Sequence, residues 1–116
     1  MKKFDNRNIG VDQGSTILFS DYEDDGPMWA ETGPRSTTVK VTFARPFRSA
    51  PAVTVGMSMW DMDQKTNPRA DISARKINRK GFEIVFKTWG DTRVARVRAD
   101  WMAIGELPFD DDWDVT

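Results

Sequence analysis

Along this chain apolar residues alternate with polar ones instead of recurring every third or fourth position, and the alternating runs are separated by clusters of Gly, Pro, Asn and Asp. That periodicity predicts strands. The first run is Ser15 to Ser20, closed by the acidic, Gly/Pro-containing stretch Asp21 to Pro27, which reads as a loop. Thr37 to Ala44 follows, with Val39, Val41 and Phe43 on one side, then Ala52 to Trp60, with Val53, Val55, Met57 and Met59 on one side and Pro51 at its entrance. Arg69 to Ile77 sets Ala70, Ile72 and Ala74 against Asp71, Ser73 and Arg75. Asn78-Arg79-Lys80-Gly81 reads as a tight connection in which Gly81 supplies a positive φ. Phe82, Ile84 and Phe86 line the fifth run; after a turn at Gly90-Asp91, the sixth, Thr92 to Ile104, aligns Ala95, Val97, Ala99, Trp101 and Ala103. Six short strands, without a convincing amphipathic helix and without room for parallel crossovers, predict an all-β fold, a six-stranded antiparallel β-sandwich.

Length and charge narrow the function. At 116 residues the chain makes one domain around one core. Seventeen basic against eighteen acidic side chains leave a formal charge of −1, and the sequence shows no basic groove to track a phosphate backbone, so nucleic acid is not an expected partner. There is no cysteine and no histidine, which removes the thiolate nucleophile, the Cys-based zinc site, the commonest general base and the commonest metal ligand. Asp61 and Asp63 resemble a carboxylate pair of glycosidase type, but aspartates in a turn-rich loop are expected to form turns; Asp24-Asp25 and Asp110 to Asp112 lack the spacing of a calcium loop. The expectation is a binding protein, not an enzyme, with no cofactor and no metal. The polar start, Met1 to Asn8, does not read as a signal peptide, and no apolar run reaches the length of a membrane span. The compartment is not readable. Asp110 to Asp114 reads as a solvated end.

On the second face of the sixth run Arg96 and Arg98 follow each other, with Met102 and Ile104 further along. Two readings fit: a wetted outer face, or a face packed on copies of the same chain, where Arg96 or Arg98 pairs with Asp71 or Asp100 of a neighbour.

Three stretches together resemble the H-type lectin domain, the family of the snail agglutinins and of the C-terminal domain of discoidins. The first is Val41 to Phe47 followed by Pro51-Ala52-Val53; the second is Asn67-Pro68-Arg69 leading into a strand; the third is Gly81-Phe82, Thr88-Trp89-Gly90-Asp91-Thr92 and Trp101 to Ile104. The likeness covers about residues 29–105, leaving 1–14 as an N-terminal extension and 106–116 as an acidic tail. It implies a six-stranded antiparallel sandwich, a homotrimer that in some members pairs into a hexamer, and metal-independent sites near subunit boundaries for galactose-type or N-acetylgalactosamine-type glycans. Arg69 and Trp89 fall on family positions that contact sugar, and they are of the types such a site needs, a forked donor and an aromatic wall. From the residues alone, Arg69 also reads as a surface cation after a turn, and Trp89 as a cap on the core. Trp29, Trp60 and Trp101 read as core or edge packing.

The departures from the family pattern bear on the ligand. Gly90 stands where the snail agglutinins carry a sugar-contacting histidine, and Asp91 offers an acceptor from the same turn. The family's site is completed by an aspartate from a neighbouring protomer, and Thr32 takes that position here. The family's disulfide is missing, which suits a bacterial or intracellular setting. Two functions therefore stand side by side: a multivalent carbohydrate-binding protein, and an oligomeric adhesion or assembly module that binds a protein through the same fold.

Overall fold

The computed structural model describes residues 1–5 and 8–109. Six strands appear among them: β1 (Ile9–Ser20), β2 (Arg35–Thr42), β3 (Ala52–Met62), β4 (Asp71–Arg75), β5 (Gly81–Thr88) and β6 (Val94–Glu106), with one helical turn, α1 (Pro27–Ala30). They form two antiparallel three-stranded sheets, ordered β1-β6-β3 and β2-β5-β4. No helix of the described residues is long and apolar enough to cross a membrane.

The core is made where the inward parity of β5 meets that of β6. Phe82, Ile84 and Phe86 are buried, and facing them Val97, Ala99 and Ala103 are fully buried. Large rings on one strand need small residues on the other if the sheets are to close to normal packing density, and β6 supplies alanines. One end is filled by Phe43, Phe47, Phe82 and Trp101, with Phe43 edge-on to Phe47 at 5.0 Å and Phe82 edge-on to Trp101 at 5.4 Å. Gly14, the register partner of Trp101, makes room for the indole: a Cβ there would lie 2.8 Å from it.

The strand order decides what gathers at the other end. Because β1, β3 and β6 share one sheet and β2, β4 and β5 the other, the connections β1–β2, β3–β4 and β5–β6 all cross between sheets, and all three do so at the same end.

Several expectations change in detail. β1 begins at Ile9, inside the stretch expected as an extension, and β4 is shorter than its run, which leaves Arg69 and Ala70 in the preceding loop. Gly81 does not have a positive φ; in that connection the left-handed residue is Lys76, at φ 50°. Gly81 is needed for close approach instead, since a Cβ would meet the Val41 carbonyl oxygen at 2.1 Å. The turn itself is held by Asn78 Oδ1, which accepts from the Lys80 and Gly81 amides at 2.8 and 3.1 Å. A bulge at Ser58 moves Met59 off the core-facing row, so that it pairs with Arg98. Asp110 to Asp114 lies outside the described residues.

Candidate functional site

The three inter-sheet loops at this end bring the singled-out residues together. The Arg69 main chain is fixed by Thr88 at the end of β5, whose hydroxyl donates to the Arg69 carbonyl at 2.6 Å. Thr92, at the far side of the turn, donates its hydroxyl to the Asn67 carbonyl. Both threonines are buried. The loop before β4 is thus clamped against the β5–β6 turn from either flank, in a chain with no cysteine.

From that clamped position the Arg69 side chain lies along the turn and donates from Nη1 to Asp91 Oδ1 at 2.5 Å. The Asp91 carboxyl is held below its ordinary value of 3.8, chiefly by this hydrogen bond. Gly90 makes the arrangement possible in two ways. Its φ is +70°, and a Cβ on it would meet Arg69 Nη1 at 2.9 Å and Cζ at 3.2 Å. The guanidinium therefore covers the position from which a side chain at residue 90 would project. Trp89, next in the turn, is 44% exposed. It is not a cap on the core. Beside it runs a groove of about 320 Å³ bordered by Ser36, Lys87, Thr88 and Trp89.

Thr32 is exposed on the loop before β2. That loop is tied to the same turn, because the Gly33 amide donates to the Gly90 carbonyl at 2.8 Å. Arg35 strengthens the tie. Its side chain is buried, and it donates to Gly33 O at 2.8 Å, Met28 O at 3.0 Å and Gly90 O at 3.4 Å. A second arginine supports the end from the side: Arg93 donates to Trp29 O at 2.9 Å, lies 4.1 Å over the Trp29 ring and pairs with Asp63 at 3.4 Å.

Arg69, Trp89, Gly90, Asp91 and Thr32 thus occupy one end of the sandwich. The sequence reasoning missed Arg35, Arg93 and the role of Thr88, although two of them carried a signal. Thr88 continues the inward parity of Phe82, Ile84 and Phe86, and Arg35 that of Val39 and Val41. A polar side chain on a core-facing row must find partners, and both find backbone carbonyls. For Trp29 and Trp101 the packing expectation holds, since Trp29 stacks edge-on to Tyr22 at 5.0 Å and Trp101 packs on Phe43 and Phe82. Trp60 differs: its side chain is 59% exposed. Asp61 and Asp63 are each engaged by an arginine, Arg96 at 3.6 Å and Arg93 at 3.4 Å.

On the outer face of β1-β6-β3, the two arginines are answered within the chain. Arg96 pairs with Asp61, and Arg98 donates to the Ser58 hydroxyl at 2.9 Å. Asp100 accepts from Ser15 and Ser58 at 2.6 and 2.8 Å, and these bonds hold its carboxyl below the ordinary value. Asp71 lies on β4, in the other sheet.

Comparison with known proteins gives this geometry a family. The sequence profile of the H-type lectin domain matches residues 38–104. A protein of Fuscovulum blasticum named ATP synthase subunits region ORF 7 is 62% identical over 108 residues, covering 93% of this chain and 94% of that protein. A discoidin-1 polypeptide of Dictyostelium discoideum is 36% identical over 73 residues, 62% of this chain and 29% of its own length. The solved structure of discoidin II from the same organism superposes with a TM-score of 0.74 at 24% identity, over 90% of this chain; this chain spans 40% of discoidin II. The profile match extends over more than half of the sequence, and the chain belongs to the H-type lectin family.

Proposed function

We propose that the protein is a metal-independent lectin that binds galactose-type or N-acetylgalactosamine-type glycans as a multivalent homotrimer. Arg69, Trp89, Gly90 and Asp91 of one protomer form one side of each sugar site, and Thr32 of a neighbour completes it. The observation that carries this reading is the Arg69–Asp91 pair beside the half-exposed Trp89. The bond to Asp91 uses one N–H of the guanidinium and one carboxylate oxygen. A forked donor and an acceptor are then held side by side, next to an indole face, which is the chemistry that vicinal hydroxyls and the C–H side of a pyranose require.

The tie between Gly33 and Gly90 supports the shared site. It keeps the Thr32 loop and the Trp89 turn at one end of each protomer. In a ring of parallel copies both elements then lie on the same rim of every protomer, where a boundary between neighbours can draw on each. The outer face of β1-β6-β3 suits the ring's interior. Its row Val11–Ile104–Ala52 is apolar and its row Gln13–Met102–Thr54 uncharged, and Gly56 beside Asp100 leaves a shallow trough of about 580 Å³. Three weak sites on one face of such a ring act together through effective concentration.

The test is mass by light scattering, followed on the same sample by a glycan array weighted toward galactose and N-acetylgalactosamine termini. A trimer, or a hexamer made from two, that binds those glycans is the expected result. Arg69→Ala should keep the mass and melting temperature and lose the binding. An oligomer that binds no immobilised glycan refutes the lectin reading and favours the assembly module.

A further inference from the structure

Among the described residues, Trp60 is the exposed tryptophan that the site described above does not use. Its register partner Val97 is fully buried, so Trp60 stands on the core-facing row of β3 and yet is 59% exposed. The reason lies in strand length: the 11 residues of β3 face a β4 of 5, so β4 is too short to cover all of it. Over this end of β3 runs the β3–β4 loop. Between loop and strand is a groove of about 330 Å³ whose border includes Trp60, Asp61, Gln64, Thr66 and Pro68.

The walls of this groove are fixed before any ligand arrives. The Asp63 amide donates to Arg93 O at 3.0 Å, and the Thr66 hydroxyl donates to Asp63 O at 3.1 Å. Asp63 Oδ1 accepts from the Lys65 amide at 2.9 Å, so Gln64 sits at the tip of a turn pinned on both sides. Arg93 and Arg96 balance the charges of Asp63 and Asp61. The groove therefore offers an aromatic face, a carboxamide and a hydroxyl without a net field. That combination disfavours an ion and a purely apolar ligand. It matches a neutral ring with a C–H face and hydroxyls at its edge.

The loop that borders this groove is the one that ends in Arg69: Pro68 lines the groove and Arg69 follows it. We infer that the Trp60 groove is a second saccharide subsite, in which one residue of an oligosaccharide stacks on Trp60 and bonds to Gln64 while its terminal residue occupies the Arg69–Trp89 site. This deepens the lectin reading and rests on it. It makes the ligand class an oligosaccharide, with the terminal sugar read at the β5–β6 turn and an inner one read at β3.

Titration calorimetry on the intact wild-type oligomer tests it, with the methyl glycosides of galactose and N-acetylgalactosamine compared against oligosaccharides that end in the same sugars. At least one oligosaccharide should bind more tightly than its terminal monosaccharide. Trp60→Ala and Gln64→Ala should weaken that oligosaccharide about five- to tenfold and leave the monosaccharide unchanged, and Trp60→Phe should recover most of the loss. Arg69→Ala should abolish both. The subsite is overturned, with the first site intact, if monosaccharides bind and no oligosaccharide gains over them, or if Trp60→Ala keeps the gain. It is also overturned if Trp60→Ala lowers the oligomer's mass or weakens both ligands equally, since Trp60 would then serve the scaffold. A wild-type protein that binds neither class overturns both readings.

Discussion

Replacing Gly90 by alanine probes both of the reasons for which the β5–β6 turn needs glycine. The φ of +70° costs an L-residue with a Cβ about 1–2 kcal/mol. The added atom would also meet Arg69 Nη1 at 2.9 Å. Because that nitrogen is the far end of a flexible side chain, the guanidinium moves aside at little steric cost, and backbone strain dominates the stability change. For a domain of this size, about 1–2 kcal/mol lowers the melting midpoint by about 3–10 °C. The displaced guanidinium, however, leaves Asp91, so glycan binding should fall far more than stability. Gly90→Asn separates the two effects. Asparagine tolerates the left-handed region, so its midpoint should fall by less than half as much as with alanine, while its longer side chain still displaces Arg69 and binding is lost. Calorimetric melting at matched protein concentration and an array measurement on the same samples give both numbers. An alanine variant that melts with the wild type, or an asparagine variant that binds glycan normally, would refute the reasoning.

Two further predictions follow from the clamp and from the charge pair. Thr88→Val keeps the shape of a buried side chain but removes the hydroxyl that donates to Arg69 O; urea denaturation should show a loss of about 1–3 kcal/mol, with weakened glycan binding, and an unchanged midpoint would contradict it. The Arg69 hydrogen bond lowers the Asp91 carboxyl, so the pair's contribution is fully present above the unfolded value and is lost as pH falls through the lower, folded one. With no histidine in the chain, glycan binding should be flat from about pH 8 to about pH 5 and fall only in stronger acid. A titration midpoint near the histidine range would show that Asp91 is not the group that matters.

The fold was legible because each strand buries one face. The alternation in Phe82, Ile84, Phe86 and in Ala95, Val97, Ala99, Trp101, Ala103 depends only on local parity, and the structure keeps both rows. What parity cannot carry is a break in itself. The bulge at Ser58 moves Met59 to the outer side, and nothing in the run Ala52 to Trp60 marks that extra residue. Gly81 was assigned to a turn for its conformational freedom, yet it is there because the Val41 carbonyl passes within reach of any Cβ, a long-range contact that local composition does not contain. The residues proposed for the site were legible as types, Arg69 and Trp89 with Asp91 beside them. Its assembly was not, because it depends on which loops cross between sheets at the same end.

That assembly holds this end of the sandwich in place in a chain with no cysteine and no histidine. Most of the bonds that organise it end on backbone carbonyls: Thr88 on Arg69, Thr92 on Asn67, Gly33 and Arg35 on Gly90. Side-chain hydroxyls and a buried guanidinium thereby hold the main chain of three separate loops, and the groups proposed to meet a ligand, Arg69, Asp91 and Trp89, project from a frame built by other residues. Such a division lets recognition residues change without unfolding the domain. Gly90 is where the division fails, since the same residue supplies the turn's conformation and the space for the Arg69 guanidinium. A side chain introduced there would have to adopt the left-handed backbone and would move the Arg69 guanidinium off Asp91, so a substitution at residue 90 is felt at residue 69 as well.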